Sequence, residues 1–202
     1  MRFVLAITGA SGSVYAQRTL HALRSALSAP GSTLIVHVVA SNTAHVVWRQ
    51  ELPGSLAETL QQFARTAPRV HVWANEDFSA PFASGSNAAD AVVVAPCSMS
   101  SLGRVAHGTG TGLLHRACDV ALKERRRLIL VARETPLSRI HLLNMLRATE
   151  AGAVVLPAVP SFYSSPTSVD AVVDTVVARA LDHAGVRNTV TPRWGESAHP
   201  DA

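Results

Sequence analysis

The chain gathers its reactive side chains where apolar runs end. "RFVLAI" closes on "TGASG" (8–12), whose small residues let backbone N–H groups and the Ser11 hydroxyl approach a phosphate at a helix N-terminus. A plain strand-to-helix turn capped by Ser11 or Ser13 is the simpler reading of the same residues. "APCSMSS" (95–101) sets Ser98, Ser100 and Ser101 in a row, offering hydroxyls to a ribityl chain or a phosphate. There too a bland account is available: Pro96 ends a strand and Ser98 caps a helix. Arg133 and Glu134 follow the buried run "LILVA", and adjacent charges in that position are costly unless paired or used on a ligand. Lys123–Arg127 reads as the solvated end of a helix, its cations complementing the macrodipole. By sequence alone Glu51 is an ordinary surface carboxylate, and Tyr163 and Arg179 are core-edge and surface residues. Nine histidines show no HExxH, and two cysteines form no CxxC, so no metal site is read.

A Gly-rich turn after a first strand raises the question of a dinucleotide, and the residues speak against one. GxGxxG is absent, and the TGxxxGxG variant would need glycine where Ser13 and Tyr15 stand. Ribose recognition asks for Asp or Glu at the end of the second strand. That strand ends in "HVVAS", with Ser41 in the place of the acid. No YxxxK follows either, since Tyr15 is succeeded by Thr19 and Tyr163 by Thr167.

The elements that must position these residues alternate. Apolar runs predict strands at Phe3–Ile7, Thr33–Val39, Val70–Trp73, Ala91–Ala95, Leu128–Ala132 and Ala153–Leu156. Helical spacing predicts helices at Ser13–Leu27, Asn42–Gln50, Leu56–Thr66, Leu113–Glu124, Ser138–Glu150 and Ser168–His183. Alternating β and α units argue for an α/β fold, a doubly wound parallel sheet in a three-layer α/β/α sandwich. Ligands bind such sheets beyond the carboxyl ends of the strands, so the polar strand ends are expected to converge on one rim. A single domain over 1–184 is expected, with 185–202 as a tail ordered near the site as far as Trp194.

Bulk properties fit this reading. Of 202 residues, 48% are apolar and 16% charged, a composition that suggests surface buried in a homo-oligomer. The 18 basic and 14 acidic residues give a net charge of +4, without the aromatic interleaving of a nucleic-acid surface. No run approaches a membrane span, and the cysteine usage points to the cytoplasm.

Eight collinear stretches, "TGASG" (8–12), "ASGS" (83–86), "PCS" (96–98), "RACDVALKERR" (116–126), "LVARETPLSRIHLLNM" (130–145), "GAVVLPAVPSFY" (152–163), "SVDAVVDTVVARAL" (168–181) and "PRWG" (192–195), resemble the UbiX-type flavin prenyltransferase family. The resemblance implies a flavodoxin-like or Rossmann-like sheet and a homododecamer built of trimers. It implies metal-independent transfer of the dimethylallyl group from dimethylallyl phosphate to N5 and C6 of reduced FMN. The product, prenylated FMN, would serve a UbiD-type decarboxylase.

The same resemblance assigns roles. Gly9, Ala10, Ser11, Ser41, Ser98, Met99, Ser100, Ser101 and Arg133 would hold FMN. Lys123, Arg133, Tyr163 and Arg179 would grip the substrate phosphate, with Trp194 beside them. Ser11, Glu51, Arg116, Lys123 and Glu134 would make up the catalytic set, which changes the reading of Glu51. The chemistry suits these types: breaking the allylic C–O bond builds negative charge on phosphate, which fixed cations stabilise without a metal. Glu51 with Ser11 would handle protons, and Phe78 could face the allyl cation. Two rivals share the fold. One is an FMN-dependent oxidative decarboxylase of peptidyl cysteine, which relies on a histidine and a "PASANT"-like stretch where this chain has "PCSMSS" and Glu51. The other is a non-catalytic FMN-binding module, which needs none of Glu51, Lys123, Tyr163 or Arg179.

Overall fold

Strands with two apolar faces need cover on both sides, and the chain supplies it. In the computed structural model, which describes residues 1–193 and Gly195, β1 (Arg2–Ile7) turns Phe3, Leu5 and Ile7 into one core and Val4 and Ala6 into another. The remaining strands are β2 (Ile35–Ala40), β3 (Val70–Trp73), β4 (Ala91–Cys97), β5 (Arg127–Ala132) and β6 (Val154–Pro157). All pair in parallel, in the order β3-β2-β1-β4-β5-β6. This is the Rossmann order, and the expected doubly wound sandwich is present.

On one face lie α1 (Ser13–Ser28), α2 (Asn42–Glu51), α3 (Leu56–Ala64) and α7 (Val169–Ala184), which contribute Leu20, Leu23, Trp48, Phe63 and Val176 to the core. On the other lie α4 (Met99–His107), α5 (Leu113–Lys123) and α6 (Arg139–Glu150), with Leu102, Leu114 and Ala148 facing the sheet. Sequence periodicity left α4 unassigned. Its serines, Gly103 and short length weaken the pattern, but Ser98 caps its start and Gly108, at φ 64°, ends it.

α1 and α7 are locked by charge. Arg18 donates to both oxygens of Asp174, at 2.8 and 2.5 Å, and Asp174 is buried. Beyond α7, residues 185–193 run back along the domain, burying Val186 and pairing Arg193 with Asp182. Trp194, where the expected tail contact falls, lies outside the described residues. Among the described residues no helix is long and apolar enough to cross a membrane.

Candidate active site

The switch point of the sheet lies between β1 and β4, and the two exit turns are tied there by one hydroxyl. Thr8 Oγ1 donates to the Pro96 carbonyl at 2.7 Å and accepts from the Ser98 N–H at 2.9 Å. Thr8 is buried, so the pairing is shielded from water. It fixes "TGASG" against "PCSMSS", two of the strand ends expected on one rim.

Gly9 lets α2 approach the turn. A Cβ there would lie 2.5 Å from the Thr43 side chain and 3.0 Å from its carbonyl carbon, so no larger residue fits. Thr43 shares a 3.0 Å hydrogen bond with the Ser41 hydroxyl, and Ser41 caps α2 by accepting from the Ala44 N–H. Gly12 adopts φ 112°, outside what side-chain-bearing residues readily reach.

The donors at this turn do not wait for a phosphate. Gly12 N–H donates to Glu51 Oε2 at 2.9 Å and to Oε1 at 3.1 Å, and Ser13 N–H donates to Oε2 at 2.7 Å. The exposed N-terminus of α1, which has no side-chain cap of its own, is thus satisfied by a carboxylate from the end of α2. The Gly12 and Ser13 N–H groups, which the sequence offers to a phosphate, here serve this carboxylate. Burial pushes the Glu51 carboxyl up, but hydrogen bonds from the Ser11 hydroxyl and the Ser13 and Gly12 N–H groups outweigh it and hold it below its ordinary value.

Around this centre stand Ser98, which accepts from the Ser101 N–H at 3.2 Å, the exposed Ser100, and the half-buried Arg133, whose N–H donates to the Cys97 carbonyl. Met99 turns its side chain into the core, so only its backbone is available to a ligand. Tyr15 also borders the turn. Its ring would crowd a Cβ at Gly12, and its hydroxyl donates to the Ala158 carbonyl at 3.3 Å. Burial raises its pKa and the nearby Arg133 charge partly offsets this.

Other expected residues lie elsewhere. α5 runs antiparallel to the strands and delivers the chain to the start of β5, so Lys123 sits at the amino edge of the sheet, opposite the rim. There it pairs with Glu124 beside Gly85. Arg116 is engaged by the Ala83 carbonyl at 2.9 Å and by Asp119 at 2.7 Å. Glu134 is exposed and accepts from the Thr135 N–H. Phe78 lines a small hollow with Arg104, His115 and Arg116, away from Glu51. Tyr163 and Arg179 share a cavity of about 420 Å³ walled by the β6–α7 loop, α7 and the tail, and none of Ser11, Glu51, Ser41 or Arg133 lines it. Within one chain, Tyr163 and Arg179 therefore line a cavity apart from Glu51, and Lys123 lies at the opposite edge of the sheet.

A family model described as Flavoprotein matches residues 1–181. The flavin prenyltransferase UbiX of Methanocaldococcus jannaschii is 42% identical over 195 residues, 96% of this chain and 99% of that protein. This chain belongs to the UbiX-type flavin prenyltransferase family. Its UbiX-type fold extends to solved structures. A structure of AnUbiX (PadA1) in complex with FMN and dimethylallyl pyrophosphate matches at TM-score 0.85 and 40% identity, over 96% of this chain and 97% of that one. A dodecameric FMN-dependent UbiX-like decarboxylase from Escherichia coli O157:H7 matches at TM-score 0.83 and 38% identity, over 96% and 98%.

The UbiX-type rim fits a flavin mononucleotide. Gly9 lets α2 close on the turn at the switch point, Ser41 and Ser98 present hydroxyls at two helix starts, and β2 ends without the acid a dinucleotide needs. Tyr15 and Thr43 are the contributors that carry no signal in the sequence, whereas Thr8 stands in the strand-end turn "TGASG".

Proposed function

We propose that this chain transfers a dimethylallyl group from an allylic phosphate to reduced FMN, giving prenylated FMN. The observation that carries the reading is the Glu51 carboxylate, held ionised by Ser11, Gly12 and Ser13 at the rim. A module that only stores flavin has no use for it. Gly9, Ala10, Ser41 and the Ser98–Ser101 turn would hold FMN, which when reduced supplies the nucleophilic N5 and C6.

The chain's own residues divide the remaining work. Arg133, Arg179 and Lys123 take up the charge that develops on the phosphate as the allylic C–O bond breaks, and Tyr163 donates a hydrogen bond to it. Glu51 accepts a proton released near the flavin and passes it through the Ser11 hydroxyl toward the departing phosphate. Arg116 and Glu134 border this path.

Lys123 reaches the rim only if another copy brings it there. Self-association is supported by α6, where Ile140, Leu142 and Leu146 are 69%, 53% and 54% exposed, neighbouring apolar side chains of the kind that mark a protein–protein contact. A homo-oligomer, a dodecamer by likeness to the E. coli structure, places one copy's phosphate-gripping groups over its neighbour's flavin. The product would pass to a UbiD-type decarboxylase. Two buried free thiols and the need for reduced flavin suit the cytoplasm.

The test is anaerobic incubation with reduced FMN and dimethylallyl phosphate, or the diphosphate, followed by mass analysis of the flavin. A gain of one prenyl unit supports the reading. No gain with either ester, together with loss of carbon dioxide from a peptide ending in cysteine, would transfer the chain to the decarboxylase class.

A further inference from the structure

Arg133 stands at the rim without an anion to aim it. Its backbone N–H is fixed on the Cys97 carbonyl, but among the described residues its guanidinium has no hydrogen-bonded or ion-paired partner. A long side chain in that state loses its rotamer freedom only when a ligand arrives, unless packing has removed it beforehand. Tyr15 supplies that packing. A Cβ at Gly12 would lie 2.9 and 3.1 Å from the Tyr15 ring carbons Cδ2 and Cε2, and 3.9 Å from Arg133 Cγ. Ring and arginine stem thus lie against the same side of Gly12, whose N–H donates to Glu51.

The ring is itself anchored across three strand exits. Tyr15 leaves the first turn of α1, its N–H donating to the Gly12 carbonyl at 2.9 Å. Its hydroxyl donates to the Ala158 carbonyl beyond β6. The Ala158 N–H in turn donates at 2.8 Å to the carbonyl of Ala132, the last residue of β5 and the one before Arg133. Burial keeps the Tyr15 hydroxyl protonated, as donation requires. The exits of β1, β5 and β6 therefore meet on one side chain, as those of β1 and β4 meet on Thr8. We propose that Tyr15 is a positioning residue: its ring aims the Arg133 guanidinium at the rim before a ligand binds, and its hydroxyl fixes the ring. The inference rests on the prenyl-transfer reading for what Arg133 holds, FMN and the substrate phosphate, and Tyr15 acts through Arg133.

A double-mutant cycle between Tyr15 and Arg133 tests it, read first as the dissociation constant of FMN by flavin fluorescence titration and then as turnover. Tyr15→Leu keeps apolar bulk without the ring. It should weaken FMN binding about tenfold in the otherwise intact protein, the worth of one charge-assisted hydrogen bond, and by less than about twofold when added to Arg133→Ala. In turnover it should lower kcat/KM for the allylic ester by about tenfold or more, since a misplacement of about 1 Å can cost about 100-fold, and again add little to Arg133→Ala. Tyr15→Phe keeps the ring and should recover all but about threefold of each loss, the share of the hydroxyl. Where Tyr15→Leu does not fold, Tyr15→Met serves the same cycle. Equal losses with and without Arg133 would make Tyr15 a packing residue only and overturn the proposal, as would a Tyr15→Phe no better than Tyr15→Leu. Coupled FMN affinities in a protein that prenylates with neither ester would refute the proposed function and leave the assignment of Tyr15 standing.

Discussion

At the N-terminus of α1 the Glu51 carboxylate occupies a place where any anion gains from aligned backbone N–H groups, and it arrives from the far end of α2. The arrangement keeps a base in one position while leaving it exposed to a ligand. Replacing it separates binding from chemistry. Glu51→Gln should retain FMN, because the flavin-holding backbone is untouched, and should slow prenyl transfer about 100-fold or more, read by mass analysis over time. A pH profile checks the same point. Because hydrogen bonds hold the Glu51 pKa below 4.5, the carboxylate stays charged as pH falls through the usual range, so the acid limb of the rate profile should lie below that value. Ser11→Ala removes the donor that lowers it most and should move the limb upward. A limb that does not shift would detach Ser11 from Glu51. Only the family resemblance singled out Glu51, because it lies 39 and 38 positions from Gly12 and Ser13 and meets them only when β1 and β2 pair.

Among the elements, those carrying a clear period were legible and those defined by partners were not. β1, β2, β4 and β5 stood out because both faces are covered and the runs are almost wholly apolar, whereas α4 was hidden by its serines and Gly103. The place of Lys123 was legible in principle: in a right-handed β/α succession the end of a helix that leads into a strand lies at the amino edge. The β2–β3 pair illustrates a feature that no periodicity reports. His37 is buried, its Nδ1 accepts from the Trp73 indole at 3.0 Å, and its Nε2 has no partner among the described residues. Burial, then His71 and Arg2, lowers its pKa to about 4. The folded state therefore binds this proton less readily than the unfolded chain, and stability should fall as pH drops from about 6.5 toward 4. Denaturant melts at pH 7.5 and 5 should show the loss in the wild type and a smaller one in His37→Gln. The α1–α7 lock makes a second claim at this scale. Asp174→Ala leaves the Arg18 charge, 19% exposed, without its main partner and should cost ~2 kcal/mol, or roughly 4–8 °C in Tm for a domain of this size. Calorimetry decides it, and an unchanged Tm would mean that water replaces the partner.

For the whole molecule, Glu51 and Lys123 stand at opposite edges of one sheet, so the proposed transfer requires assembly. If each site joins the Glu51 of one copy to the Lys123 of another, then two inactive variants carry complementary halves. Homo-oligomers of Glu51→Gln and of Lys123→Ala should each be nearly inactive. Dissociated, mixed in equal amounts and reassembled, they should recover about a quarter of wild-type activity, since half the sites draw an intact Glu51 and half of those draw an intact Lys123. A site built within one chain would recover nothing, because no chain in the mixture holds both residues. The same geometry predicts that breaking the assembly silences intact chemistry. Ile140→Glu with Leu146→Glu places two charges on the exposed apolar side of α6. Size-exclusion chromatography should show smaller species, the fold should persist because neither side chain belongs to the core, and prenyl transfer should fall with the loss of the large species. A small, folded and fully active variant would return Lys123 to its own chain's site and require α5 to move.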